Sequence, residues 1–365
     1  LCTEFGRRWN MALPFQYYAL ETEVQMMGKK VQIGLLSPFF VPISGYEEAA
    51  NHLNLDLVIV TPRRIDWKKH EVSGLVFTGQ AWVEETVSLP RSVYNRYYGS
   101  KPKVVNRLET VIGKDKVFNH VTHFDKLQIH QLLAKSSLNM YLPATDPYSP
   151  KRLVQYIDRF QQVILKPVKG QLGNKIYLID KHKGIIYLHY GTKSPIAHFY
   201  SSKDFLAKLE SMISQGFLVQ QYIPLASVDG RVFDLRFLVQ KDRMGLWGVS
   251  AMLSRLALRY SYITNLSWAI LPVEDTLKQA FSELDLDFLP MLKGLAIKAA
   301  QTVEASLGSL GELSVDLGLD SKGGIWIIEL NAKPMKNTFL GLGNSKIMEE
   351  IYRQPLRYAL HLAGY

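Results

Sequence analysis

A single cysteine, Cys2, among 365 residues leaves no partner for an intrachain disulfide and no thiolate set for a metal cluster, so a reducing compartment suits the chain. Long apolar runs are missing too. Nowhere do about eighteen apolar residues follow one another, which excludes a membrane-spanning helix by hydropathy, and the opening "LCTEFGRRWNMALPFQYYAL" has no apolar signal-peptide core. A cytosolic protein is expected, with Leu1 to Asn10 read as an extension ahead of a start at Met11. No Pro, Ser or Gln tract and no repeat interrupts a composition that is 47% hydrophobic and 21% charged, which excludes a disordered chain and fits a folded, multi-lobed one. The net charge of +10 would suit a polyanion, yet Lys and Arg are scattered and no basic helix or aromatic RNA-binding motif gathers them. Nucleic acid is therefore not the expected partner, whereas small anions draw on the same field.

What is present is organised in three blocks. Short apolar runs punctuated by Gly and Pro, "VQIGLL", "LDLVIV", "GLVF" and "SVYNRYY", predict the central sheet of an α/β domain, residues 1–119. "HFDKLQIHQLLAKS" sets Phe124, Leu127, Ile129, Leu132 and Leu133 near helical spacing, with Asp125 suited to the first turn, and "SPKRLVQYIDRFQQ" predicts a helix with Ser149 as N-cap and Pro150 behind it. The strand–loop–strand "VILKPVKGQLGNKIYLI", a strand in "GIIYLHYG", an amphipathic helix ended by Gly216 and the buried strand "FLVQQYI" complete a small α+β lobe, residues 120–219. A larger lobe, residues 220–365, holds long strands in "VFDLRFLVQK" and "GLWGVSAMLSRLAL", a helix over 289–307 and the hairpin "GELSVDLGLDSKGGIWIIELNAKP". It closes with a C-terminal helix broken near Pro355.

Two stretches carry chemistry. On a strand, residues two apart share a side, so Glu329 and Asn331 in "IIELNAKP" present oxygens to one face. A four-residue turn over Ser321 to Gly324 would pair Asp320 with Ile325 and set Asp316 opposite Glu329, giving three hard donors suited to Mg²⁺. An edge hairpin with its polar side in water shows the same spacing. In the other stretch, Gly170 and Gly173 let amides turn toward an anion, with Lys166 as a fixed charge on the strand behind. No Gly-Lys-Ser/Thr follows and "KIYLI" alternates as a strand, so this is a hairpin tip rather than a P-loop; it could fold over phosphates or stand exposed. In "FLVQQYIPL" the backbone of Gln220 to Ile223 could read an adenine edge or simply fill a core.

Lysine before a glycine loop, an interlobe strand, Asp-x-Arg in "VFDLRF", then Asp and Glu-x-Asn on a late hairpin together resemble the ATP-grasp fold. In that fold two α+β lobes sandwich ATP, here behind an α/β N-terminal domain. Within it, "VYNR", "HFDKLQIHQLL", "ILKPVKGQLGNKI", "VQQYIPL", "RVFDLRFLVQK", "GLWGVSAMLSR", "TNL" and "GGIWIIELNAKP" resemble the YheC/YheD group of endospore coat-associated proteins, from about residue 93 to the C-terminus. The resemblance implies ATP and Mg²⁺ as cofactors. Lys126 and Lys166 would contact the phosphates, Gly170 and Gly173 would form the flap, and Gln220, Gln221, Tyr222 and Ile223 the adenine hinge. Arg236 and Arg255 would present forks to phosphate or an acyl phosphate, Asp316, Glu329 and Asn331 would hold the metal, and Asp234 would be structural or substrate-side.

The resemblance further implies an ATP-dependent carboxylate–amine or carboxylate–thiol ligase acting on an unidentified acid and amine, associated with spore coat proteins and with no membrane partner. A nucleotide-binding or coat-assembly protein without turnover, and a kinase of the same fold, are the alternatives. Two departures bear on activity: Gln171 and Lys175 stand where related flaps have serine and glycine, and Ser267 and Trp268 replace a glycine pair, so that an indole would narrow the acceptor pocket. Tyr94, Asn95 and Arg96 are the N-terminal candidates for substrate contact.

Overall fold

The computed structural model describes residues 30–99, 102–170, 174–213, 216–281 and 288–365, so Gln171, Gly173 and the N-terminal extension lie outside the described residues. Residues Val31–Tyr365 make up one contact unit, built on three sheets. The first comprises β1 (Val31–Leu36), β2 (Leu55–Val60), β3 (Ile65–Asp66), β4 (Glu71–Phe77), β5 (Trp82–Ser88), β6 (Ser92–Asn95) and β7 (Val117–Phe118), with α1 (Glu47–His52) and α2 (Lys103–Ile112) between them. Its order is β3-β4-β2-β1-β6-β7, with β5 on β4, and the central strands run parallel. Parallel strands covered on both faces read as continuous apolar runs. Accordingly Ile33 and Leu35 enter one core while Leu36, Val58 and Val60 enter another.

The second sheet is preceded by α3 (Lys126–Ala134) and comprises β8 (Thr145–Pro147), β9 (Gln162–Pro167), β10 (Tyr177–His182), β11 (Ile185–Tyr190), β12 (Pro195–Phe199) and β13 (Phe217–Gln221), backed by α4 (Pro150–Phe160) and α5 (Ser202–Met212). The caps are the ones the sequence predicts: the Asp125 carboxylate accepts from the Leu127 and Gln128 amides, and the Ser149 hydroxyl from that of Arg152. Such caps satisfy amides that have no partner inside the helix. Gly216 does not end α5, which stops at Met212; with φ +84° it opens β13 instead. Val163, Leu165, Val219 and Phe205 form the core between this sheet and its helices, so Ile164, Lys166, Leu218 and Gln220 point to the opposite face.

The third sheet comprises β14 (Ser227–Val228), β15 (Arg231–Lys241), β16 (Trp247–Ala257), β17 (Ser267–Leu271), β18 (Glu312–Leu319) and β19 (Ile325–Asn331), ordered β17-β16-β15-β18-β19. α6 (Val273–Ala280) and α7 (Phe288–Leu307) pack on one face over Phe233, Leu235, Phe237 and Val315, and α8 (Ser345–Ala363) reaches back to the first sheet. Strands β5, β8, β12 and β17 escape the apolar pattern because they are short or solvated edges, as the mostly exposed "WVEETVS" and "PIAHF" illustrate.

α8 runs unbroken through Pro355, contrary to the expected break. Proline at that position has no N–H for the carbonyl four residues earlier, Ile351. The Gln240 amide on β15 takes that place, donating from Nε2 to Ile351 O at 2.9 Å and to Glu312 Oε2 at 2.8 Å. Both acceptors are buried. Gln240→Leu, leaving them short of a donor, should cost about 2–4 kcal/mol in urea unfolding. A loss near zero would show that the carbonyl does not depend on this amide.

Candidate functional site

The hairpin reaches the expected pairing by an unexpected route. Asp320 leaves the ladder and closes a five-residue loop, its Oδ1 accepting from the Lys322 and Gly324 amides at 2.9 Å each and its Oδ2 from Trp326 Nε1 at 2.9 Å. Leu319 therefore pairs with Ile325, one residue out of the predicted register. A bulge then absorbs the difference. Ile328 is the extra residue between the Leu317–Ile327 and Asp316–Glu329 pairs, so Asp316 does face Glu329 and Ser314 faces Asn331.

Register continues this row across the sheet. Asp234 on β15 lies opposite Arg255 on β16, and Arg236 on β15 opposite Asp316 on β18. The Arg236 fork donates to both Asp316 oxygens at 2.8 Å, while Arg255 Nε donates to Asp234 Oδ1 at 2.8 Å and its Nη2 bridges Asp234 Oδ2 and, at 2.8 Å, Asp316 Oδ2. Thr264 Oγ1 completes Asp234 at 2.6 Å. Burial would raise the Asp316 carboxyl, but the two guanidiniums more than offset it and hold it at about 2. The forks expected to face phosphate are thus turned onto carboxylates, and Asp316 has both oxygens engaged.

The free face of the second sheet, α3 and the β19 stretch Ile327 to Leu330 close a cleft with about 430 Å³ of empty space, lined by Lys126, His130, Thr145, Lys166, Gln220 and Glu329 among others. Lys126 Nζ bridges the jaws: it donates to the Gly170 carbonyl at the flap base at 2.8 Å and pairs with Glu329 Oε1 at 2.8 Å. Lys166 makes no hydrogen bond or ion pair among the described residues. Burial and the Lys126 charge depress its ammonium, Glu329 opposes them, and the balance is about 8. Burial, aided by Lys166, lowers His130 as well.

The hinge divides. Gln220 lines the cleft and donates from Nε2 to Thr145 Oγ1 at 2.7 Å, whereas Gln221, Tyr222 and Ile223 do not line it. The Gln221 and Tyr222 amides are spent on the Ala144 and Gln162 carbonyls, at 2.8 and 3.2 Å. Lys175 has φ +58°, so lysine carries the left-handed turn itself, at a cost of about 1 kcal/mol. Trp268 does not line the cleft; on edge strand β17 it is 60% exposed beneath the Arg231 guanidinium, 4.3 Å from its ring centre. Tyr94 and Arg96 meet Glu312, while Asn95 is occupied with the Asn119 carbonyl and the Tyr97 amide.

Thr145, His130 and Tyr262 went unnoticed in the sequence. Tyr262, from the loop after β16, packs on Ile164, Leu178 and Tyr222, donates to the Ile176 carbonyl at 2.8 Å and accepts from the Gly191 amide at 3.2 Å. A lone tyrosine in a loop gives no periodic signal.

Among the described residues no helix is long and apolar enough to cross a membrane. The chain is 26% identical to the endospore coat-associated protein YheD of Bacillus subtilis (strain 168) over 321 residues, 82% of this chain and 69% of that protein. It is 22% identical over 292 residues to YheC of the same organism, covering 77% of this chain and 80% of the other. In fold it is similar to the ATP-grasp ligase PsnB, solved with a phosphomimetic variant of a minimal precursor, Mg and ADP, with a TM-score of 0.52 at 15% identity, over 92% of this chain and 99% of that one. A family model described as YheC/D-like ATP-grasp matches residues 114–362. The cleft between two lobes, with lysines on one jaw and a carboxylate hairpin on the other, is thus that of an ATP-grasp fold, and the chain belongs to the YheC/D-like ATP-grasp family.

Proposed function

We propose that the protein binds ATP with Mg²⁺ in this cleft and acts as a ligase joining a carboxylate to an amine or thiol through an acyl phosphate, with ADP and phosphate released. The observation that carries the reading is the convergence of Lys166, Lys126 and Glu329 on one cleft. Lys166 and Lys126 bind phosphate oxygens, and Gln220 with Thr145 offers polar edges to the base. The hard oxygens of Glu329 and Asn331 suit Mg²⁺, with Asp316 behind them, held by its arginines. When bound, the ion neutralises charge on the phosphates. Arg255 and Arg236 hold Asp234 and Asp316 in a rigid, charge-balanced row beside Glu329, which favours positioning over covalent chemistry. Association with the endospore coat is carried over from the two relatives as part of this proposal.

A second reading, nucleotide binding without turnover, is favoured by the engagement of both arginine forks with carboxylates. Thermal unfolding with ATP, with and without Mg²⁺, tests the first step. A hundredfold excess over Kd should add about 2.7 kcal/mol to the wild type, and Glu329→Ala should lose the metal-dependent part. Equal responses from both proteins would remove Glu329 from the site, and release of ADP with an acid and an amine separates turnover from binding.

A further inference from the structure

A threonine hydroxyl carries a single proton to donate, and here that limit fixes the polarity of one wall of the cleft. Thr145 on β8 lies directly opposite Gln220 on β13, and both residues line the cleft. Thr145 Oγ1 stands 2.8 Å from the carbonyl oxygen of the buried Pro143 and 2.7 Å from the Gln220 amide. A carbonyl can only accept. The hydroxyl proton therefore goes to Pro143 O, and toward Gln220 the same oxygen is left as an acceptor. Gln220 must answer with Nε2, because turning its amide over would set Oε1 against a hydroxyl that has no proton left to offer. Gln220 Oε1 is then the atom left over, and it accepts no hydrogen bond among the described residues.

Register places this acceptor relative to the cations. Lys166 on β9 lies opposite Leu218, and Gln220 is the next residue on that face of β13, roughly 7 Å further along. Lys166 shares its end of the cleft with the charges of Lys126 and Glu329. Leu142, Leu218 and Leu330 supply apolar wall to the same cleft. A triphosphate held by the lysines would thus leave its base to the apolar part, within reach of one acceptor of fixed direction. Adenine offers a donor there, its 6-amino group, where hypoxanthine and guanine carry an oxo acceptor.

We propose that Thr145 is a positioning residue for base selection: by holding the Gln220 amide in one orientation it presents an acceptor that takes a 6-amino purine and rejects a 6-oxo purine. This rests on the nucleotide reading above and adds what enforces the choice of base. Calorimetric titration of the full chain with ATP and with ITP, each with Mg²⁺, tests it, because ITP differs from ATP only in its 6-oxo group and the proton on N1. The wild type should bind ATP about tenfold more tightly than ITP. Thr145→Val keeps the shape of the side chain but has no hydroxyl, so the Gln220 amide can turn over and the two affinities should converge. Thr145→Ser restores the hydroxyl and should restore the preference. Gln220→Leu removes the acceptor while leaving Thr145 to Pro143, and should equalise the two nucleotides as well. Tripolyphosphate, which has no base, should bind the wild type and Thr145→Val alike, showing that the phosphate end is intact. A merely structural threonine would weaken both nucleotides together, so a preference retained in Thr145→Val or in Gln220→Leu would overturn the inference. Equal binding of ATP and ITP by the wild type would overturn it while leaving the nucleotide reading in place. Binding of neither nucleotide would overturn that reading, and the inference with it.

Discussion

Lys166→Met is expected to stabilise the protein while removing its response to ATP. Lys166 is 8% exposed on β9 and has no ion-pair partner among the described residues, so folding places an ammonium where water is scarce. The drop from an ordinary 10.5 to about 8 corresponds to a cost of up to roughly 3 kcal/mol. The sign follows from proton counting. Between pH 8 and 10.5 the unfolded chain binds the proton and the folded one does not, so wild-type stability rises with pH across that window. Below pH 8 the full cost applies. Methionine fills similar space without charge, so the advantage of Lys166→Met should be largest near pH 7 and shrink toward pH 10.5 in urea unfolding. A variant less stable than wild type at pH 7, or a gap that ignores pH, would mean that Lys166 is compensated within the fold and is not held ready for an anion.

The largest loss is expected from Asp316→Asn. Asp234, Arg255, Asp316 and Arg236 form a neutral, buried quartet in which each guanidinium answers a carboxylate directly across the sheet. Removing one carboxylate leaves two buried guanidiniums with Asp234 alone, an imbalance that typically costs 3–5 kcal/mol. Because the Asp316 carboxyl lies at about 2 rather than an ordinary 3.8, its contribution is present above pH 3.8 and lost as pH falls toward 2. Asp316→Asn should lack that acid limb. A double change, Asp234→Asn with Arg255→Met, removes a whole pair and should cost less than the sum of its single changes. Additive losses would show that the four groups do not act as a unit, and Asp316 would then be free to serve as an independent metal donor.

The difference between what could and could not be read from the chain has a common origin in range. Asp125 and Ser149 were legible because a cap acts within three residues of itself. The pairing of Asp316 with Glu329 was legible as a face but not as a path, since a carboxylate-closed loop and a bulge of one residue cancel each other in register. Pro355 was misread for the opposite reason. Proline's local cost is certain, yet the amide that answers the freed carbonyl comes from Gln240, 111 residues away.

The order of the motifs was enough to show a resemblance to the ATP-grasp family, and strand alternation, capping and glycine placement, being local, marked the lysine strand and the carboxylate hairpin. Tertiary structure decided where the arginines aim, which hinge residue reaches the cleft, and that the buried Glu312 is met by Arg96 and Lys336. Those outcomes depend on which buried charges share an enclosure, and solvation is a property of the packed volume, not of neighbours along the chain.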